Sequence, residues 1–260
     1  MPNFKKFYLK ATIVNKNHIK LLILIRNNII GNKIAQPHSF HLTLLSGEIN
    51  TDHPLSHILF DANNNLTPQF KQLLYSLKDD YAQAFDKSVL SNDGGHNVLL
   101  GKKEDLFYVG DGDKPVHSGN FFSKVFGVNH DGNPPITEFR KRFYRKLTKL
   151  VGQQQYVATD KVLGGQKCKA IQYNGIDLLF IPDYYYGIGK WTPHISIFQL
   201  TELEQHNEPL YANCVANFHK TKGSSEQSVK LFSLILNVLK LNRPIAINMS
   251  KDLTFEFNVC

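Results

Sequence analysis

The pattern that most constrains this chain is a short strand signature that occurs twice. In "FHLTLL" (40–45) a histidine and a threonine stand two residues apart inside an apolar run. Successive side chains of a β-strand point to opposite faces, so His41 and Thr43 share one face, with Phe40, Leu42 and Leu44 on the other. "PHISIF" (193–198) repeats the device, with His194 and Ser196 on one side and Ile195 and Ile197 on the other. One such pair reads as a satisfied histidine at a strand end. Two pairs in matching contexts, one in each half of the chain, read as the two sides of a site.

Between and around these strands the periodicity changes repeatedly. "FYLKATIV" (7–14) and "IKLLILIR" (19–26) predict two strands around the turn-like "NKNH". A helix is predicted over 67–85, with Thr67 as N-cap, Pro68 at the first helical position and Phe70, Leu73, Leu74, Leu77, Tyr81 and Ala84 at helical spacing. From 88 to 135 Gly, Asn, Asp and Pro dominate, which reads as a loop-rich insertion with short strands such as "NVLL" and "LFYVG". A second helix follows over 137–150, a hairpin turns at Asn174-Gly175, a third helix covers 225–241, and "LTFEFNV" (253–259) closes as an alternating strand. Strands and helices are intermixed, so the expected class is α+β, in a single domain spanning 1–260.

The chain can bury a sizeable core, since 42% of its 260 residues are hydrophobic. A formal charge of +8 leans towards an anionic partner such as a nucleic acid, a nucleotide or a membrane surface. Three widely spaced cysteines, Cys168, Cys214 and Cys260, make neither a disulfide framework nor a zinc site and suit a reducing compartment. "LLILI" is too short for a signal core or a membrane span, so the expectation is a cytoplasmic monomer with no membrane partner.

Two histidines with two hydroxyls suit phosphodiester cleavage without a metal. Imidazole titrates near neutrality, so one ring can act as base and its partner as acid on opposite sides of a phosphate. Hydroxyls such as those of Thr43 and Ser196 can donate to the non-bridging oxygens as charge builds. The sequence offers no carboxylate cluster for a divalent ion, and neither metal nor cofactor is expected.

The paired H-x-[ST] motifs, "HLT" and "HIS", resemble those of the 2H phosphoesterase superfamily, which includes RNA 2',3'-cyclic phosphodiesterases and viral 2',5'-phosphodiesterases. The resemblance implies a bilobal α+β fold, with two pseudo-symmetric β-sheet lobes flanked by helices around a central cleft. His41 and Thr43 match the first motif, and His194 and Ser196 the second. "KW" ahead of the second motif and "QLT" after it are similar to the coronavirus 2',5'-phosphodiesterase branch, which implies interference with a host nucleotide alarm. The implied substrates carry a 2' bond: a 2',5'-oligonucleotide, a mixed-linkage cyclic dinucleotide or an RNA end with a 2',3'-cyclic phosphate. The separation of the motifs exceeds that of compact members and is attributed to the 88–135 insertion. An idle nucleotide-binding protein on the same fold is the alternative, and a scaffold without ligand a third reading.

Other residues carry weaker signals. Tyr184, Tyr185, Tyr186, Lys190 and Trp191 precede the second motif, where a base could stack and a phosphate could pair. Lys141, Arg142, Arg145, Lys146 and Lys149 read as the solvated face of the 137–150 helix, with phosphate contact as the alternative. His53 and His57 have the i,i+4 spacing of a metal pair, but Pro54 argues for a surface segment. His38 flanks the first motif, and the Gly-Asp turns at 110–113 lack the rest of a calcium loop.

Overall fold

The computed structural model describes residues 3–30, 39–91, 118–122, 124–126, 134–163, 166–182, 194–199, 205–209, 212 and 246–260, and its architecture is α+β. Strand β1 (Phe4–Ile13) alternates as its sequence dictates, burying Phe7, Leu9, Ala11 and Ile13. Helix α1 (Lys16–Ile30) then replaces the strand predicted over 19–26. The cause is local. Asn15 acts as an N-cap, its Oδ1 accepting from the Asn17 backbone N–H at 2.9 Å. The run "LLILI" has no period of its own, and such runs fit strand or helix equally. Packing decides here: Leu22 and Arg26 are buried one turn apart, while Leu24 stays exposed.

Strand β2 (His41–Asn50) returns antiparallel to β1. A single turn, α2 (Ser56–Leu59), leads into α3 (Pro68–Ala84). Thr67 Oγ1 accepts from the Phe70 N–H at 3.2 Å and Pro68 takes the first turn, so this helix starts where its sequence predicts. Among the described residues of 88–135 lie three short strands: β3 (Val89–Ser91), β4 (Ser118–Phe122) and β5 (Lys124–Phe126). "NVLL", "LFYVG" and the turns at 110–113 lie outside the described residues.

Helix α4 (Pro135–Val151) buries Phe139, Phe143 and Leu147. After it come β6 (Gln155–Leu163), β7 (Gln166–Tyr173) and β8 (Ile176–Pro182). The β7–β8 hairpin turns through Asn174 (φ 50°) and Gly175 (φ 77°), the paired positive φ values of a type I' turn, for which Asn-Gly is suited. The described elements end with β9 (His194–Gln199), β10 (Ala246–Asn248) and β11 (Leu253–Val259). The helix predicted over 225–241 lies outside the described residues.

Six strands form one antiparallel sheet in the order β11-β1-β2-β8-β7-β6. A three-stranded sheet, β10-β3-β5, and the β4-β9 pair complete the described strands. Helices α3 and α4 cover one face of the large sheet, where Phe143 stacks on Phe7 (6.3 Å between centroids) and Phe139 meets Phe255 edge-on (5.7 Å). Charge ties the two helices together. Asp80 of α3 pairs with Lys146 and, at 3.6 Å, with Arg142, while Glu138 holds Arg142 and Arg145 at 3.1 Å each. Arg142 and Lys146 are therefore engaged with α3, which amends their reading as a merely solvated face, whereas Arg145 is exposed and pairs with Glu138 of its own helix, as that reading expects. Among the described residues no helix is long and apolar enough to cross a membrane.

The turn between β10 and β11 is organised by Asp252. Its carboxylate accepts from the Asn15 side chain at 2.7 Å and the Asn248 backbone N–H at 2.8 Å, and lies 3.2 Å from His18 Nε2. Burial pushes its pKa up, but the hydrogen bonds from Asn15 and Asn248 and the contact with His18 outweigh it, so the net shift is downward from 3.8. A carboxyl lowered on folding adds stability that is complete above its unfolded pKa and fades as pH falls through the folded one. Wild-type protein should therefore be more stable to urea than Asp252→Asn at pH about 6, with the gap closing towards pH about 3. A gap that widened in acid would contradict this assignment.

Candidate functional site

The burial pattern of β2 shows how the first motif is presented. Leu42 and Leu44 are buried, as are Leu45, Gly47 and Ile49, while His41, Thr43, Ser46, Glu48 and Asn50 are partly exposed. The apolar positions thus switch from even to odd numbers within one strand. A β-bulge makes this possible. Lys10 lies opposite Thr43 and Leu9 opposite Leu45, so Leu44 is an extra residue with no counterpart on β1. Both apolar sets then point into the core beneath α3 and α4, and His41 and Thr43 share the other face.

Residues directly opposite in an antiparallel pair point to the same face, which extends the site across the sheet. Thr12 is opposite His41, Lys10 is opposite Thr43, and Glu256 of β11 is opposite Lys10. Thr12 Oγ1 donates to Glu256 Oε2 at 2.8 Å, and the Lys10 ammonium lies 3.4 Å from the same oxygen. The sequence reading missed these three residues. Alternation in β1 and β11 puts them on the face away from α3 and α4, where Lys10 and Glu256 are partly exposed and Thr12 is buried, but only the strand register brings them beside His41 and Thr43. The His41 ring sets its Nδ1 3.4 Å from the Ser39 carbonyl. A proton on Nδ1 donating there puts the lone pair of the neutral ring on Nε2, while the cationic ring donates from both nitrogens.

At the other end of β2 the same face turns apolar. Phe4 packs edge-on against Phe180 at 5.6 Å, and the Lys161 ammonium caps both rings at 3.6 and 4.2 Å while pairing with Glu48 at 2.7 Å. Cys168 is buried beside this cluster, which pushes its thiol pKa up and suits a packing role. Gly47 permits the junction with β8, because a Cβ there would lie 2.3 Å from the Phe180 carbonyl oxygen.

The second motif sits on β9, where His194 and Ser196 flank the buried Ile195. Its ladder partner is β4, with Phe122 opposite His194 and Asn120 opposite Ser196. The segment read as an insertion thus supplies the strand that pairs with the second motif. β9 also packs beside β2, with Cα atoms of the two strands within 8 Å, although they belong to different sheets. β8 joins β2 only at Glu48 and Ile49, far along the strand from His41.

Tyr184, Tyr185, Tyr186, Lys190, Trp191 and His38 lie outside the described residues. The segment around His53 differs from the reading of it as surface. His57 is exposed, but His53 is buried, its Nδ1 accepting from the Leu55 backbone N–H at 2.9 Å and its ring edge-on to Tyr173. α2 begins only at Ser56, so the two rings do not share a helix face and His53 instead braces the turn after β2. Among the described residues no three His, Cys, Asp or Glu side chains group as metal ligands. Comparisons with protein families, curated proteins and solved structures give no match to this chain.

Proposed function

We propose that this chain is a metal-independent phosphodiesterase on a bilobal fold of the 2H type, acting on nucleotides that carry a 2' phosphate linkage. One observation carries the reading: the strands bearing the two H-x-[ST] motifs, remote in sequence, are neighbours in the fold. A cleft between them would be lined by His41 and Thr43 from one side and by His194 and Ser196 from the other. One imidazole takes the proton of the attacking oxygen, water or a ribose hydroxyl. The new P–O bond forms, the bond to the leaving oxygen breaks, and the second imidazole protonates that oxygen. Thr43 and Ser196 donate to the non-bridging oxygens, and Lys10, on the same face as Thr43, adds positive charge beside the phosphate.

A substrate panel in the presence of EDTA tests this. It compares a 2',5'-linked oligoadenylate, its 3',5' isomer, an RNA ending in a 2',3'-cyclic phosphate and a mixed-linkage cyclic dinucleotide. Hydrolysis of at least one 2'-linked member and sparing of the 3',5' isomer is the expected result. Cleavage of the 3',5' isomer alone would remove the proposed substrate class, and binding without cleavage of any member would leave an idle nucleotide-binding protein.

A further inference from the structure

Arg140 stands out among the basic residues of α4 because it is buried, only 5% exposed, and points at the sheet. Its Nε and Nη2 both donate to one acceptor, the Leu44 carbonyl, at 3.1 and 2.9 Å. Leu44 is the bulged residue of the motif strand. A bulge disrupts the local ladder, and a buried backbone carbonyl left over there must find another donor. The planar fork of a guanidinium can place two N–H groups on that one oxygen.

The bulge also governs which side of the sheet shows the motif. A regular strand can bury only one set of alternate residues. Burying Leu42 and Leu44 without a bulge would turn Leu45 and Ile49 towards solvent, and burying Leu45 and Ile49 would turn His41 and Thr43 into the core. With the bulge, β2 buries both apolar sets and keeps His41 and Thr43 outward.

We propose that Arg140 is the positioning residue of the candidate site: by holding the Leu44 bulge from beneath the sheet, it fixes the register that presents His41 and Thr43. The register claim stands on geometry, and its consequence for turnover rests on the phosphodiesterase reading.

Register can be read without activity. Thr43→Cys or Leu45→Cys is placed in a Cys214→Ser, Cys260→Ser background, and maleimide labelling is followed peptide by peptide by mass spectrometry. With Arg140 present, the thiol at position 43 should label at least about tenfold faster than that at 45, as expected for an outward against a core position. Arg140→Met should bring the two rates together, and Arg140→Lys, which offers a point charge in place of a fork, should fall between. Should Arg140→Met fail to fold, deleting Leu44 in the same chain decides the matter. That deletion leaves a regular ladder with Lys10 still opposite Thr43 and no surplus carbonyl, so folding and the labelling contrast should return. An unchanged contrast in Arg140→Met, or no recovery on deleting Leu44, overturns the proposal. In chains without the reporter thiols, kcat in Arg140→Met should drop about 100-fold with KM changing far less, as expected for misplaced reacting groups. A collapsed contrast in a protein that hydrolyses none of the nucleotides would leave Arg140 as register keeper and reject the phosphodiesterase reading alone.

Discussion

Replacing His41 or His194 by alanine is expected to lower turnover of a 2'-linked nucleotide by about 100- to 10,000-fold, the usual contribution of a positioned acid or base. Each loss should be as large in EDTA as without it. The double variant should fall little below either single one, because an acid and a base that act in one step do not contribute independently. On the two-histidine reading, the wild-type protein should show a bell-shaped pH profile, and each single variant should keep only one limb of it. Stability supplies the control for His41. Its ring is only partly buried, so His41→Ala should cost about 1 kcal/mol or less in urea unfolding, as is usual away from a fully buried core. Full turnover in either single variant would end the two-histidine mechanism. A collapse of stability in His41→Ala would instead recast that residue as structural.

Some of this could be read from the sequence, and the reasons differ by element. α3 was legible because its cap, its first-turn proline and its apolar stripe agree, and the structure begins and ends it within a residue of the predicted span. The Asn174-Gly175 turn and β11 were legible for the same reason: turn chemistry and strict alternation leave little choice. α1 was not, because the "LLILI" run satisfies two periods at once and the deciding contacts are tertiary, although Asn15 ahead of the run was an available cap signal. The polarity of the His41–Thr43 face was legible from alternation alone. The bulge was announced by the adjacent Leu44 and Leu45, where the apolar phase slips by one, but its consequence required the opposite strand. Lys10, Thr12 and Glu256 are beyond single-strand reasoning, since register alone sets them beside His41 and Thr43. Arg140 is hidden for a similar reason. Among the basic residues of α4 nothing local separates the one aimed at the sheet from those that pair with α3.

The largest stability effect should come from Phe139→Ala. Phe139 is fully buried, and its ring meets Tyr81 at 6.2 Å, Phe85 at 6.3 Å and Phe255 at 5.7 Å. Truncating such a ring removes its transfer free energy and leaves a cavity that three other aromatic rings cannot easily fill, a cost of about 3–5 kcal/mol. That is a large part of the roughly 5–15 kcal/mol available to a whole domain. Helix α4 is also the base beneath the motif strand, since Arg140 follows Phe139 directly and reaches the Leu44 carbonyl. Loosening the helix should therefore loosen β2, and Phe139→Ala should lose turnover because it unfolds, not because the chemistry changes. Two measurements separate these causes. Its urea midpoint should fall steeply, whereas that of His41→Ala should hardly move. The total turnover of Phe139→Ala should recover on cooling or in stabilising osmolyte, as the folded fraction is restored, whereas that of His41→Ala should not. Phe139→Leu, which keeps much of the apolar volume, should retain most of the stability. A wild-type midpoint in Phe139→Ala would mean that α4 is not seated on the sheet as described, and with it the route from Arg140 to the motif strand would fall.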